Sequence, residues 1–120
     1  MEVSKVAEAY IGAWNEVNDA QRADVLRSGW TSDASYVDPL MRGSGAAQIS
    51  SLIGAVHQRF PGFRFKLKGV PSGYEQYVRL SWSFGPEGAE APVEGSDFIE
   101  LREGKIRSVV GFIDKTPNAG

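Results

Sequence analysis

The sequence predicts an α+β domain in which helices cover one face of a curled, mostly antiparallel sheet. Three observations lead there. In the first half, apolar residues recur at steps of three and four, the spacing of helix faces. From Phe63 onward the step drops to two, the spacing of strands with one wet face. Within the helical half, before its last helix, runs Asp33 to Gly45, a short extended stretch broken by Pro39 and closed by glycines.

Val3, Val6, Ala7, Tyr10, Ile11, Trp14 and Val17 trace one face of a first helix over 3–17. Asn18-Asp19 breaks it, and Asp19 is expected to cap a second short helix over 20–27 with Val25 and Leu26 inward. Ser28-Gly29 ends that helix. Residues 34–38 read as a first strand. Ser44 is placed to cap a third helix over 46–60, whose inward stripe is Ile49, Leu52, Ile53, Val56 and Phe60. Pro61-Gly62 stops it.

Phe63, Phe65 and Leu67 then alternate with Arg64, Lys66 and Lys68, and Gly69 with Pro71-Ser72-Gly73 is expected to end this strand. The next, over 75–84, puts Val78, Leu80, Trp82 and Phe84 on one side and Tyr77, Arg79, Ser81 and Ser83 on the other. Residues 85–91 form a hairpin loop rich in Gly, Pro and Glu. Strands over 92–101 and 106–114 close the chain, joined by a tight Arg102-Glu103-Gly104 turn. Residues 115–120 read as a polar tail that frays. No repeat, linker or low-complexity segment interrupts the pattern, so 1–120 is expected to be one domain.

Composition narrows the function classes. The net charge is −2, with basic residues scattered rather than striped, so no nucleic-acid partner is expected. No apolar run nears the ~20 residues that span a bilayer, and the N-terminus lacks the apolar core of a signal peptide. With no cysteine and one histidine, disulfides, thiol nucleophiles and Cys- or His-rich metal sites are excluded. A cytoplasmic protein without metal or cofactor is the expectation.

Two carboxylates stand out. Asp38 precedes a proline where the first strand leaves the sheet, a position that looks into a cavity; the alternative is a turn-forming Asp-Pro that solvates a loop. Asp97 shares its strand parity with Val93, Gly95, Ile99 and Leu101, so it faces the apolar side, where a carboxyl must be paired, hydrogen-bonded or neutral. A bulge that turns it outward, or an ion pair with Arg79, would serve equally. Gly95 removes a side chain beside it, leaving room for a ligand or a backbone. Tyr10 lies on the inward stripe of the first helix, as a core residue does. His57 borders the third helix's stripe, at a pocket mouth or as a surface cap. No Ser-His-Asp set, phosphate loop or metal-ligand spacing is present.

These residues resemble the nuclear-transport-factor-2-like superfamily, and within it the SnoaL-like and ketosteroid-isomerase-like branches. The likeness is carried by Tyr10-Ile11-Gly12-Ala13-Trp14-Asn15, by Asp33-Ala34 with Tyr36 and Asp38-Pro39, and by the helix entry from Gly43 to Ile49. Phe60-Pro61-Gly62, Gly95-Ser96-Asp97 and the closing Gly104-Lys105-Ile106 and Gly111-Phe112 complete it. The resemblance implies a cone-shaped fold: three helices on a curved sheet around a pocket for a small hydrophobic organic ligand. By resemblance to the isomerases, Asp38 stands in the place of the proton-shuttling aspartate. Tyr10 and Asp97 stand where a phenol and a protonated acid donate hydrogen bonds to an enolate oxygen. The pocket wall is expected to comprise Trp14, Trp30, Tyr36, Val56, His57, Leu80, Trp82, Ile99 and Val109, with the bulk of Trp82 making it smaller or differently shaped, which speaks against a full steroid as substrate.

The function expected is cofactor-free proton transfer on a carbonyl compound, as an isomerase or cyclase. The alternatives are a binding or dimerisation module without turnover, and a dehydratase recruiting His57 with Asp38 and Tyr36. An epoxide hydrolase needs an arginine between two carboxylates, and Arg79 lies on the polar parity. In the last strand Ile106, Val110 and Phe112 form one row and Val109, Gly111 and Ile113 the other. A sheet covered on one side leaves one row bare with Phe98, so a homodimer through the outer sheet face is expected.

Overall fold

The computed structural model describes residues 2–117. Its elements are α1 (Val3–Asn15), α2 (Asp19–Gly29), β1 (Trp30–Val37), β2 (Arg42–Ser44), α3 (Gly45–Arg59), β3 (Phe63–Tyr74), β4 (Tyr77–Pro86), β5 (Val93–Arg102) and β6 (Lys105–Lys115). The six strands make one sheet in the order β2-β1-β6-β5-β4-β3. All neighbours are antiparallel except β1 and β6, which run parallel. The helices bury their stripes on one sheet face, and Tyr10, Trp14, Ile53, Leu80, Ile99 and Val109 meet in the core.

The first helix stops two residues short of expectation, and Val17 is exposed. Asn18, not Asp19, caps α2: its side chain accepts the Gln21 N–H at 2.9 Å. Asp19 is already helical and pairs with Arg22. Leu26 is inward as expected, but Val25 is exposed and the second inward side chain is Arg22, 2% exposed. Ser44 occupies the cap position of α3 without a side-chain bond; its N–H donates to Gln48 Oε1 at 2.8 Å instead. On α3, Ile49 and Ile53 are fully buried, while Phe60 is at the rim.

Strand boundaries depart more. β1 begins at Trp30, four residues early, because an irregularity between Trp30 and Ser35 breaks the alternation that would have revealed it. The three-residue β2 is too short to carry a period. β3 does not end at Gly69 to Gly73 but runs on to Tyr74. It is an edge strand, so a register shift between Lys68 and Ser72 absorbs Gly69 and Pro71. The turn falls at Glu75-Gln76, with Glu75 at φ 49°. A second shift at Arg107 resets parity in β6, so Ile106 is buried with Val109 rather than exposed with Val110 and Phe112. Lys115 still belongs to β6, so the tail is structured at its start; 118–120 lie outside the described residues. Among the described residues, no helix is long and apolar enough to cross a membrane.

Candidate functional site

Where β1, β5 and β6 lie side by side, the pairing sets Asp97 opposite Gly111, and β1 alongside β6 brings Asp38 to the same level. A methyl group on Gly111 would lie 2.8 Å from Asp97 Oδ1, 3.2 Å from Asp38 Cβ and 3.5 Å from the Tyr36 hydroxyl. Two carboxyls and a phenol thus converge on the space a missing side chain leaves open. They line one cavity of about 460 Å³ between α1, the end of α3 and the inner sheet face.

Asp38 satisfies both readings of its sequence position. It follows β1 directly, and its Oδ1 accepts the N–H groups of Leu40 and Met41 at 2.8 and 2.9 Å, the geometry of an Asx turn around Pro39. Its Oδ2 accepts the Tyr36 hydroxyl at 2.6 Å. The turn holds the carboxylate at the cavity wall. Burial, followed by the charges and hydrogen bond of the two aspartates, pushes the Tyr36 phenol far up, so it remains a donor.

Asp97 is 3% exposed and faces the core, with no bulge turning it away. Arg79, across from Phe98 on the other parity, does not pair with it. Its partner is Tyr10, whose hydroxyl donates to Oδ2 at 2.6 Å; Oδ1 makes no hydrogen bond. Burial pushes the carboxyl up to about 6, opposed by the Tyr10 hydroxyl and the Trp82 indole and helped by the Asp38 and Asp114 charges. The Tyr10 phenol is raised well above its ordinary value, by burial first and then by the Asp97 charge.

Of the expected wall, Trp14, Tyr36, Val56 and Trp82 line the cavity together with Tyr10, Asp38 and Asp97. Trp30, Leu80, Ile99 and Val109 do not: they are packed in the core behind it, at 1–4% exposure. His57 does not either, since its Nε2 is held 2.6 Å from the Trp14 carbonyl oxygen, behind α1. The space beside Gly95 is filled by this chain's own Trp82, which a methyl there would meet at 2.2 Å. Sequence reasoning missed Phe65 and Phe84, though both sit on inward parities, and Leu40 and Met41 of the Asp-Pro turn. Thr116 and Pro117 also reach the cavity, and nothing in their sequence signals it. The lining carries two carboxyls and no Lys, Arg or His. Among the described residues no cluster of His, Asp and Glu is gathered to hold a metal ion.

The SnoaL-like domain family matches this chain over residues 7–109. A SnoaL-like family protein of Agrobacterium tumefaciens, described as a candidate isomerase, superposes with a TM-score of 0.90 at 38% identity, covering 93% of this chain and 97% of its own. A protein of ketosteroid isomerase-like fold from Catenulispora acidiphila, solved in complex with trimethylamine, gives 0.74 at 19% identity, over 92% and 85%. A candidate SnoaL-like polyketide cyclase from Jannaschia gives 0.70 at 14%, over 92% and 86%. The last two show a shared fold alone. No curated protein matches significantly.

Proposed function

Because the chain belongs to the SnoaL-like domain family, we propose that its cavity takes a small, largely apolar carbonyl compound and moves a proton on it without a cofactor. One observation carries this reading. Two carboxyls in different environments flank Gly111 in a single apolar wall: Asp38 at the rim, accepting three hydrogen bonds, and Asp97 buried, with a raised titration. Such a pair divides acid from base. Asp38 takes the proton from the carbon next to the carbonyl, so the C–H bond breaks and an O–H bond forms on Asp38. Charge moves to the carbonyl oxygen, where protonated Asp97 donates a hydrogen bond to it and the Tyr10 hydroxyl, turned away from Asp97 Oδ2, donates a second. Return of the proton to a different carbon completes an isomerisation; in a cyclisation the enolate carbon bonds to a second carbonyl carbon, whose C=O π bond opens to an alkoxide that takes the proton back from Asp38.

Solvent deuterium exchange into a panel of unsaturated ketones, followed by NMR, tests this without knowing the natural substrate. Asp38→Asn should slow exchange by about two to four orders of magnitude. An unchanged rate removes Asp38 from the chemistry. The second reading, binding without turnover, is favoured by the commitment of both Asp38 oxygens to its own turn and to Tyr36. Ketones that bind but never exchange would support it. A dehydratase gains nothing from the geometry, because His57 is spent on the Trp14 carbonyl. We also propose a homodimer through the outer sheet face, where Phe98, Val110 and Phe112 stand bare, and a cytoplasmic setting consistent with a chain without cysteine.

A further inference from the structure

Trp14 stands one helical turn beyond Tyr10 on α1, so both side chains enter the cavity wall from the same helix face. Its indole is 4% exposed, yet Nε1–H makes no hydrogen bond of ordinary distance and angle. Among the described residues, the other buried side-chain polar atom without a partner is Asp97 Oδ1, and both residues line this cavity. Buried polar atoms are nearly always paired, so an orphan donor and an orphan carboxyl oxygen on two residues of one cavity wall call for an explanation. Packing alone does not supply one. A phenylalanine offers an aromatic ring to Tyr36 and Phe65, whose centroids lie 5.3 and 5.4 Å from that of Trp14, without burying an N–H.

The position of the N–H is fixed from behind. His57 Nε2 holds the Trp14 carbonyl oxygen at 2.6 Å, and the Asn15 side chain spans the Phe65 N–H and carbonyl, each at 2.8 Å. The end of α1 is thereby tied to both α3 and β3. The indole N–H acts on the Tyr10 phenol as a weak donor, lowering its titration against the burial that raises it. We propose that Trp14 Nε1–H contacts the ligand directly, as a third hydrogen-bond donor to the oxygen that Tyr10 and protonated Asp97 also receive. The inference rests on the proton-transfer reading above. A donor held rigid before charge develops needs no reorganisation when it does.

Two probes of one shape test it: 4-nitrophenol, whose phenolate oxygen mimics an enolate, and nitrobenzene, which lacks that oxygen. In the ¹⁵N-labelled protein the Trp14 indole N–H resonance should move downfield with 4-nitrophenol and not with nitrobenzene. Trp14→Phe should weaken 4-nitrophenol binding about tenfold or more, as loss of a hydrogen bond to a charged group does, and leave nitrobenzene within about twofold. The loss should persist in a Tyr10→Phe background. If it vanishes there, the indole acts only through the phenol and direct contact is overturned. An indifferent resonance overturns it too, and that measurement needs no variant to fold. If Tyr10→Phe and Asp97→Asn discriminate between the probes but Trp14→Phe does not, only this inference falls. If the wild-type protein itself binds both probes alike, the proton-transfer reading fails and takes the inference with it.

Discussion

Asp97 is held at 3% exposure with one hydrogen bond to its carboxyl, and the stability of the protein should register the cost. Burial raises its titration in the folded state from 3.8 to about 6. Folding therefore favours the protonated form. The stabilisation is whole below about pH 4 and is lost as pH climbs through about 6, by roughly 3 kcal/mol in all. Asp97→Asn removes the charge, so it should gain on the wild type in urea unfolding at pH 8 and not at pH 3. Equal effects at both would mean the carboxyl is not buried as described. Gly111 belongs to the same scale. Gly111→Ala drives a methyl to 2.8 Å from Asp97 Oδ1 and should cost about 1–3 kcal/mol, as overpacking does. It should also impair both carboxyls' work in the exchange assay. A variant as stable and active as the wild type would show that the two aspartates do not share that space.

At the scale of elements, α2 is held by a charge. The helix has few apolar residues, and Arg22 takes the inward place at 2% exposure. Its Nε donates to Ser50 Oγ at 3.0 Å, its Nη1 to the Glu16 carbonyl at 2.7 Å, and its Nη2 to Asp19. One guanidinium thus joins the α1–α2 link, α2 and α3. It does so over Gly54, where a methyl would lie 2.9 Å from Nη2. Arg22→Met keeps most of the volume but strands the Glu16 carbonyl and Ser50. We expect a loss of about 2 kcal/mol in chemical denaturation. No loss would make the contact ornamental. The helix spacing of α2 was legible, but its inward arginine was not, because a guanidinium carries no mark that says its partners will be buried with it.

For the whole molecule, the helices cover one sheet face and leave the other to Phe98, Val110 and Phe112, each between 43% and 51% exposed. Phe98 and Phe112 already touch across β5 and β6 at 5.7 Å between centroids. A second copy packed face to face would bury this patch. Sedimentation at micromolar concentration should give about 26 kDa, twice 13.0 kDa, and Phe112→Glu should give the monomer. A clean 13.0 kDa species for the wild type sinks the dimer.

The α+β class, the three helices, the inward side of β4 and the apolar side of β5 were set by periodicity, which is local: the face of a side chain follows from its count along one element. The family likeness was likewise written in short stretches. What the count could not carry was anything decided by a partner strand. One bulged residue, as at Arg107, moved Ile106 from the bare row to the core. The edge position of β3 let it pass Gly69 and Pro71 where an inner strand would have ended. Asp38 and Asp97 are 59 positions apart in a chain that offers each a bland alternative. Only the parallel pairing of β1 with β6 and the antiparallel pairing of β6 with β5 set them on either side of one glycine. The cavity itself is the mismatch between two surfaces, and neither surface alone contains it. Trp30, Leu80, Ile99 and Val109 therefore read as wall and proved to be core: inward parity says that a side chain leaves water, and packing decides whether anything is left for it to face.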